Sequence, residues 1–257
     1  MLSLTELRRA ARVASSLLAD ARLKRVDQPE PCALVFTFET DGGKRHLFVS
    51  CRPEYARLCM VEAGEPAALA TTAATGGSFQ QYLRAHQTGS RLRGIETTAG
   101  DDFDRRATLA LESREGGCKI VFSIMGPRSN IYLLGGDGKL LHALRPLEDT
   151  RKELAIGEVW TPPRSAPPSE GEDRWAGIPD AEYLKAIANS YRSLEQRGDA
   201  DELARRILQA VKKEHAFLER KRVHLQEDLD KARQAETDLR RGELLKIVLH
   251  AVKHGDT

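Results

Sequence analysis

The stretch K-I-V-F-S-I-M-G-P-R-S-N-I-Y-L-L-G-G-D-G-K-L-L-H-A-L, Lys119–Leu144, holds three short β-rich runs, Lys119–Ile124, Ile131–Leu134 and Leu140–Leu144. Each run is bounded by residues that end a strand: Gly126-Pro127 after the first and Gly135-Gly136-Asp137-Gly138 after the second. Short β-branched and aliphatic runs punctuated by such turns predict antiparallel neighbours joined by hairpins. The same rhythm extends backwards through Thr108–Leu111, Leu92–Thr97, Leu58–Val61, Leu47–Cys51 and Ala33–Phe38, with turn signals at Asp41-Gly42-Gly43 and Glu115-Gly116-Gly117. An antiparallel sheet or sandwich follows.

Two segments interrupt that reading. In S-L-T-E, Ser3 and Glu6 have the spacing of a capping box, in which each side chain satisfies the other's backbone N–H at a helix start. Leu7, Ala10, Ala11, Ala14, Leu17 and Leu18 then recur at helical spacing, with Arg8, Arg9 and Arg12 off the stripe. Phe79, Tyr82 and Leu83 repeat in the same way between Ser78 and His86, with Ser78 as cap, and predict a second helix crossing the sheet. The fold class is α+β.

The chain of 257 residues exceeds one ordinary domain, and its last third is different in kind. Residues 161–179 contain Pro162, Pro163, Pro167, Pro168 and Pro179, which neither a helix interior nor a central strand accepts. A linker is expected there, between a domain over 1–160 and a helical arm over 180–257. Within the arm the reading is a helix from Asp180 to Arg197, a break at Gly198-Asp199, a long charged helix from Ala200 to Arg241, a break at Gly242 and an apolar helix from Glu243 to Lys253. Val211, Leu218, Leu225, Ala232 and Leu239 repeat every seven residues, with Leu203, Ile207 and Leu229 beside them, which is a coiled-coil seam. A seam of that length calls for a partner: the seam pairs with another copy, the segment after Gly242 folds back along it, or it frays, and of these a homodimer through the arm is expected.

Composition bounds the function. Hydrophobic residues make up 40% and charged residues 30%, while aromatics reach 5% and the net charge is +2, so any polyanion site must come from a local cluster. Cys32, Cys51, Cys59 and Cys118 form no C-x-x-C pair and no zinc spacing with histidine, and are expected as buried reduced thiols with no metal and no cofactor. The chain has neither an 18-residue apolar run nor a signal-peptide start, from which a cytoplasmic location without membrane contact is expected.

Several ordered blocks resemble the NFACT family: R-L-K-R-V-D-Q-P (Arg22–Pro29), S-C-R-P-E-Y-A-R-L (Ser50–Leu58), F-Q-Q-Y-L-R-A-H (Phe79–His86), D-R-R (Asp104–Arg106), I-M-G-P-R-S-N-I-Y-L (Ile124–Leu133) and G-E-V-W-T-P-P (Gly157–Pro163). The match covers residues 1 to about 165 as an NFACT-N domain. Asp180–Thr257, closing on G-E-L-L (Gly242–Leu245), is similar to the first arm of the family's coiled-coil region. The resemblance implies a fold like the N-terminal domain of formamidopyrimidine-type DNA glycosylases, whose chemistry uses an N-terminal Pro-Glu; this sequence begins Met-Leu-Ser-Leu, and no catalytic residue is expected. For a bacterial RqcH-like member, it implies binding to tRNA and to the large ribosomal subunit during rescue of stalled chains, with C-terminal alanine tailing. Longer relatives place a helix-hairpin-helix domain before the coiled coil and carry a returning arm and an NFACT-R domain, none of which has a counterpart in this sequence.

By the same resemblance Asp104 and Arg105 match a pair implicated in tRNA binding, which suits arginine's bidentate grip on phosphate. Ile124, Met125 and Gly126 lead into Arg128, Ser129 and Asn130, polar residues after a glycine that lets a ligand approach the backbone. Many relatives have an acid at Ser123. Without the family this loop reads as an ordinary turn. No acid lies between Pro66 and Ile95, and Arg84, Arg91 and Arg93 together with Arg8, Arg9 and Arg12 are candidate contacts to an RNA backbone. Two other classes compete: a coiled-coil module whose β domain binds a peptide or protein, and a glycosylase-type enzyme, which the missing nucleophile disfavours.

Overall fold

The computed structural model describes residues 1–62, 64, 77–97, 105–113, 116–163 and 170–249, apart from the side chain at 202. Its centre is one nine-stranded antiparallel sheet in the order β4-β3-β2-β1-β5-β6-β7-β8-β9. The strands are β1 (Arg22–Glu30), β2 (Ala33–Thr40), β3 (Gly43–Ser50), β4 (Arg57–Val61), β5 (Arg91–Thr97), β6 (Arg105–Ser113), β7 (Gly116–Ile124), β8 (Asn130–Gly135) and β9 (Leu140–Ala143). Two meanders meet at β1 and β5, where Arg22 faces Arg91 and Leu23 N–H donates to Ser90 O at 2.8 Å. Sequence periodicity misses β1. Its R-L-K-R-V-D-Q-P-E carries too many charges to look like a strand, yet Leu23 and Val26 are buried while Arg22, Lys24 and Arg25 face outward. The irregular register at Leu23/Arg25 and Asp27/Glu30 accommodates the exposed pair Lys24-Arg25 and Pro29.

Helix α1 (Leu4–Leu17) starts with the expected capping box, Ser3 Oγ accepting from Glu6 N–H and Glu6 accepting from Ser3 N–H. Leu7, Ala10, Ala11, Ala14 and Leu18 are buried as read, and the helix packs on β4, β5 and β6. Leu17 is not: its side chain is exposed, and Val13 takes the inner position instead. Helix α2 (Ser78–Gln87) lies on β1, with Gly77 rather than Ser78 at its N-cap. A short helix α3 (Leu147–Thr150) follows β9.

The boundary drawn at residue 160 lies elsewhere in the structure. The first compact unit runs from Met1 to Glu195 and includes the opening turns of helix α4 (Asp180–Val248). Tyr183, Leu184, Ile187, Ala188 and Tyr191 are buried in the main core, which is why the unit continues past the prolines. Of the expected linker, residues 164–169 lie outside the described residues, whereas Glu170–Ile178 forms a strap over α1. Arg174 donates to both carboxylate oxygens of Glu6 at 2.7 and 2.9 Å and to Tyr191 OH at 2.9 Å. Arg9 bridges Asp173 and Asp180 and sits 4.0 Å from the Tyr183 ring centroid. Gly171, with φ +69°, lies so close to Ser3 that an added Cβ would come within 2.7 Å of it, so only glycine fits. The same unit closes on a buried bidentate pair, Arg57 with Glu195 at 2.6 and 2.7 Å.

The second unit, Gln196–Thr257, is described to residue 249 and is helical to Val248. The breaks expected at Gly198-Asp199 and Gly242 do not occur. A single glycine in a helix costs about 1 kcal/mol relative to alanine, which neighbouring Arg, Leu, Glu and Lys outweigh. The end of the expected Glu243–Lys253 helix, from residue 250, lies outside the described residues. None of the described helices is long and apolar enough to cross a membrane.

Candidate nucleic-acid interface

The loop that joins β7 to β8 is built around Met125 and Gly126. Gly126 has φ +61°, turning the chain into a 3-10 turn over Gly126–Arg128. Ser129 then fastens the turn: its Oγ donates to Gly126 O at 2.8 Å and accepts from Met125 N–H at 2.9 Å. Asn130 is buried and uses its whole amide. Its Oδ1 accepts from Ile131 and Arg145 N–H, and its Nδ2 donates to Arg145 O and Thr150 Oγ1, all between 2.8 and 3.0 Å. Arg145 closes the loop from behind, donating to Pro127 O at 2.9 Å and Ser129 O at 2.6 Å.

This geometry divides the expected site residues. Ile124, Gly126, Ser129 and Asn130 are buried and shape the loop; they present no side chain to a ligand. Arg128 is exposed and Met125 half-buried, and both border a cleft of about 520 Å³ with Arg151, Glu153, Thr161, Pro162 and Pro163. Arg151 is buried, pairs with Glu153 and donates to Thr161 O at 3.1 Å. Burial raises the Glu153 carboxyl, but its own backbone N–H, Arg151 and Arg128 together hold it below the usual carboxylate value. The cleft therefore offers two guanidiniums against one carboxylate, a modest anion-binding surplus concentrated on the exposed Arg128.

Arg105 opposes Ile124 across β6 and β7, next to the loop, and donates to Leu2 O at 3.1 Å. Asp104, the other member of the expected pair, lies outside the described residues. Arg106 stacks 5.0 Å from the Trp160 ring centroid. Arg106, Arg145 and Arg151 were not among the expected contacts; nothing in their spacing distinguishes them from surface arginines.

The six expected backbone contacts do not make one basic face. Arg9 is largely buried in the strap, while Arg8 pairs with Glu170 at 3.0 Å and Arg12 with Asp180 at 2.9 Å. Arg84 bonds Asp27 at 2.7 Å and Val26 O at 2.7 Å. Arg91 and Arg93 converge on Asp20, each at 2.7 Å, and Arg93 also reaches Glu112. These last pairs are exposed and screened by solvent, weak enough for a phosphate to compete. The cations that the sequence gathers in two clusters are thus neutralised by carboxylates brought in from other parts of the fold. Among the described residues no group of three His, Cys, Asp or Glu side chains is arranged to hold a metal ion.

Residues 4–194 match the family model described as NFACT N-terminal and middle domains. Among solved structures, the chain is similar to the N-terminal domain of the fibronectin-binding protein PavA from Streptococcus pneumoniae, with a TM-score of 0.55 at 18% identity over 79% of this chain and 86% of that one. It is similar also to the N-terminal part of the fibronectin/fibrinogen-binding protein from Streptococcus suis, with a TM-score of 0.53 at 18% identity over 65% and 62%. A third is the fibrinogen binding protein from Staphylococcus aureus, with a TM-score of 0.52 at 17% identity over 63% and 56%. The chain spans less than two thirds of the last two, and at these identities the likeness speaks for the fold alone. No curated protein matches the chain.

Proposed function

The chain belongs to the NFACT family, and from that membership we propose that its first unit is a binding module for tRNA on the large ribosomal subunit, within the cytoplasmic rescue of stalled nascent chains that ends in alanine tailing. The observation that carries the reading is the pinned loop. Ser129 and Arg145, the latter held by Asn130, bond the Met125–Arg128 turn from the inside, which reduces the loop entropy that Arg128 at the rim of the cleft gives up on binding. Arg105 enters from the neighbouring strand. Phosphate or ribose contacts position an RNA in this arrangement, and the half-buried Met125 offers an apolar surface to a base. In this reading the chain selects and holds, and bond chemistry belongs to the ribosome. The helix after Gln196 provides reach and a seam for a second copy of the chain.

The test is filter binding of tRNA to the whole chain across a salt series. Affinity is expected to fall as salt rises. Arg105→Ala with Arg128→Ala is expected to weaken binding and to lower the salt slope by about 0.7 to 0.9 for each phosphate that is no longer neutralised. Full tRNA binding by that double variant, with its melting temperature unchanged, removes the loop from the interface. Similarly folded proteins bear the names fibronectin- and fibrinogen-binding, so fibronectin is run in parallel. Binding to fibronectin and not to tRNA replaces the RNA reading with a protein-ligand one.

A further inference from the structure

Cys32 sits in the two-residue turn between β1 and β2, where Glu30 pairs with Ala33, and Cys51 follows the last residue of β3. The register that sets Ala33 opposite Ser50 sets Cys32 opposite Cys51 one step further on. Cys51 N–H donates to Cys32 O at 2.8 Å, and Cys51 Sγ lies 3.3 Å from the same oxygen. Opposed residues that share a ladder hydrogen bond have Cα atoms about 5.5 Å apart, inside the range of roughly 4.4 to 6.8 Å that a disulfide spans. Both thiols are free.

The two are chemically unequal. Cys32 is half-buried and reachable from solvent, whereas Cys51 is buried. The Cys51 thiol, followed by the Arg145 and Arg52 guanidiniums, holds the Cys32 thiol down to about 6 against its burial and Glu30. Cys51 is pushed up in turn, by its hydrogen bond to Cys32 and by burial. The other two cysteines provide an internal contrast. Burial alone raises Cys118, to about 12, and burial outweighs Arg57 at Cys59, raised to about 11.

We propose that Cys32 and Cys51 are an oxidisable dithiol that peroxide closes into an intrachain disulfide between the ends of β2 and β3, with Cys32 as the attacking sulfur and Cys51 as the resolving one. The Cys32 thiolate attacks one peroxide oxygen, the O–O bond breaks, and the departing hydroxide takes a proton from solvent to become water, leaving a sulfenic acid. Cys51 then gives up its proton and attacks the Cys32 sulfur; the S–O bond breaks, and the hydroxide leaves with that proton as a second water. Two thiols and one hydrogen peroxide become one disulfide and two waters, the sulfurs losing the two electrons that peroxide gains. The inference is independent of what the β7–β8 loop binds.

Non-reducing peptide mapping of the whole chain after treatment with one equivalent of hydrogen peroxide tests it. The expected product has lost two hydrogens in mass and contains a linked Cys32–Cys51 peptide, with Cys59 and Cys118 still free. Cys51→Ser is expected to stop at the sulfenic acid, trapped by dimedone on Cys32, and Cys32→Ser to lose peroxide reactivity. Iodoacetamide is expected to label Cys32 roughly tenfold faster than Cys118 at neutral pH. Oxygen added at Cys32 in the wild type without a link, or equal reactivity at all four thiols, overturns the proposal, and neither readout depends on a variant folding.

Discussion

Asp180–Glu195 and Gln196–Val248 are one unbroken helix, but the two stretches bury their apolar residues to opposite extents. In the first, Ile187 is 0% exposed and Tyr183 and Tyr191 are as deep, held by the strap from one side and by Arg57 from the other. In the second, Leu225 is 60% exposed, and Val211, Leu218 and Leu239 are more than half exposed as well. The second stretch is supported locally, by pairs such as Arg222 with Glu219 and Gln226 with Asp230, worth about 0.2 to 0.5 kcal/mol each. Helical structure therefore has two different causes along one element. Tertiary burial fixes the first four turns, whereas propensity and pairing at i,i+3 and i,i+4 sustain the rest.

The sharpest contrast comes from placing the same charge in both stretches. Ile187→Asp buries an unpaired carboxylate in the main core and is expected to cost more than about 4 kcal/mol, enough to unfold the first unit. Leu218→Asp with Leu225→Asp is expected to leave the melting of that unit unchanged and to lower the mass seen by light scattering to that of a monomer. A monomeric wild type with a fully helical arm would show that the seam has no partner in a second copy.

Acid should separate the stretches next. The carboxyls of Glu6, Asp173 and Asp180 are all held below their ordinary values: Glu6 by Arg174 and Ser3 despite its burial, Asp173 by Arg9 despite its burial, and Asp180 by Arg12 and Arg9. Their folded values lie below the unfolded ones, so their contribution is whole above the ordinary carboxylate range and is lost as pH falls from that range to the lower folded values. The melting temperature of the first unit is expected to drop as pH is lowered from 4.5, the ordinary value for Glu6, and Glu6→Gln should flatten that fall. An unchanged pH profile in Glu6→Gln would remove the strap from the account. The smallest effect is expected from Gly242→Ala, where the added Cβ meets open space. Circular dichroism should register a gain of about 1 kcal/mol in the arm helix and none in the first unit.

How legible each part was follows the same division. Eight of the nine strands and both early helices show in the sequence because β-branched alternation and turn glycines are local signals. The strand β1 does not, since its outward face is Arg22, Lys24 and Arg25, and charge there masks Leu23 and Val26. The strap was hidden between flanking prolines, which mark where regular structure stops and say nothing about hydrogen bonding to a residue more than 160 positions earlier. At the loop, the motif falls on a turn in which Ser129 and Asn130 bond within the protein. Polar type alone cannot tell an Asn130 whose amide is saturated by Ile131, Arg145 and Thr150 from one that faces a ligand. The arginine clusters failed as a single face for a related reason, because Asp20, Asp27, Asp173 and Asp180 are distant in sequence from the cations they neutralise or in a different turn of the chain.

The clamp between Glu6 and Arg174 also sets a timetable for synthesis. The two residues are separated by 168 positions, and a chain growing at about 5 to 20 residues per second takes roughly ten to thirty seconds to supply the second after the first. Glu6 is 0% exposed in the finished unit, a position that an unpaired carboxylate does not hold in the native form. Until the strap leaves the exit tunnel, Glu6 has no Arg174 to bury against, and the first turn of the chain's first helix is secured only after most of its unit has been made.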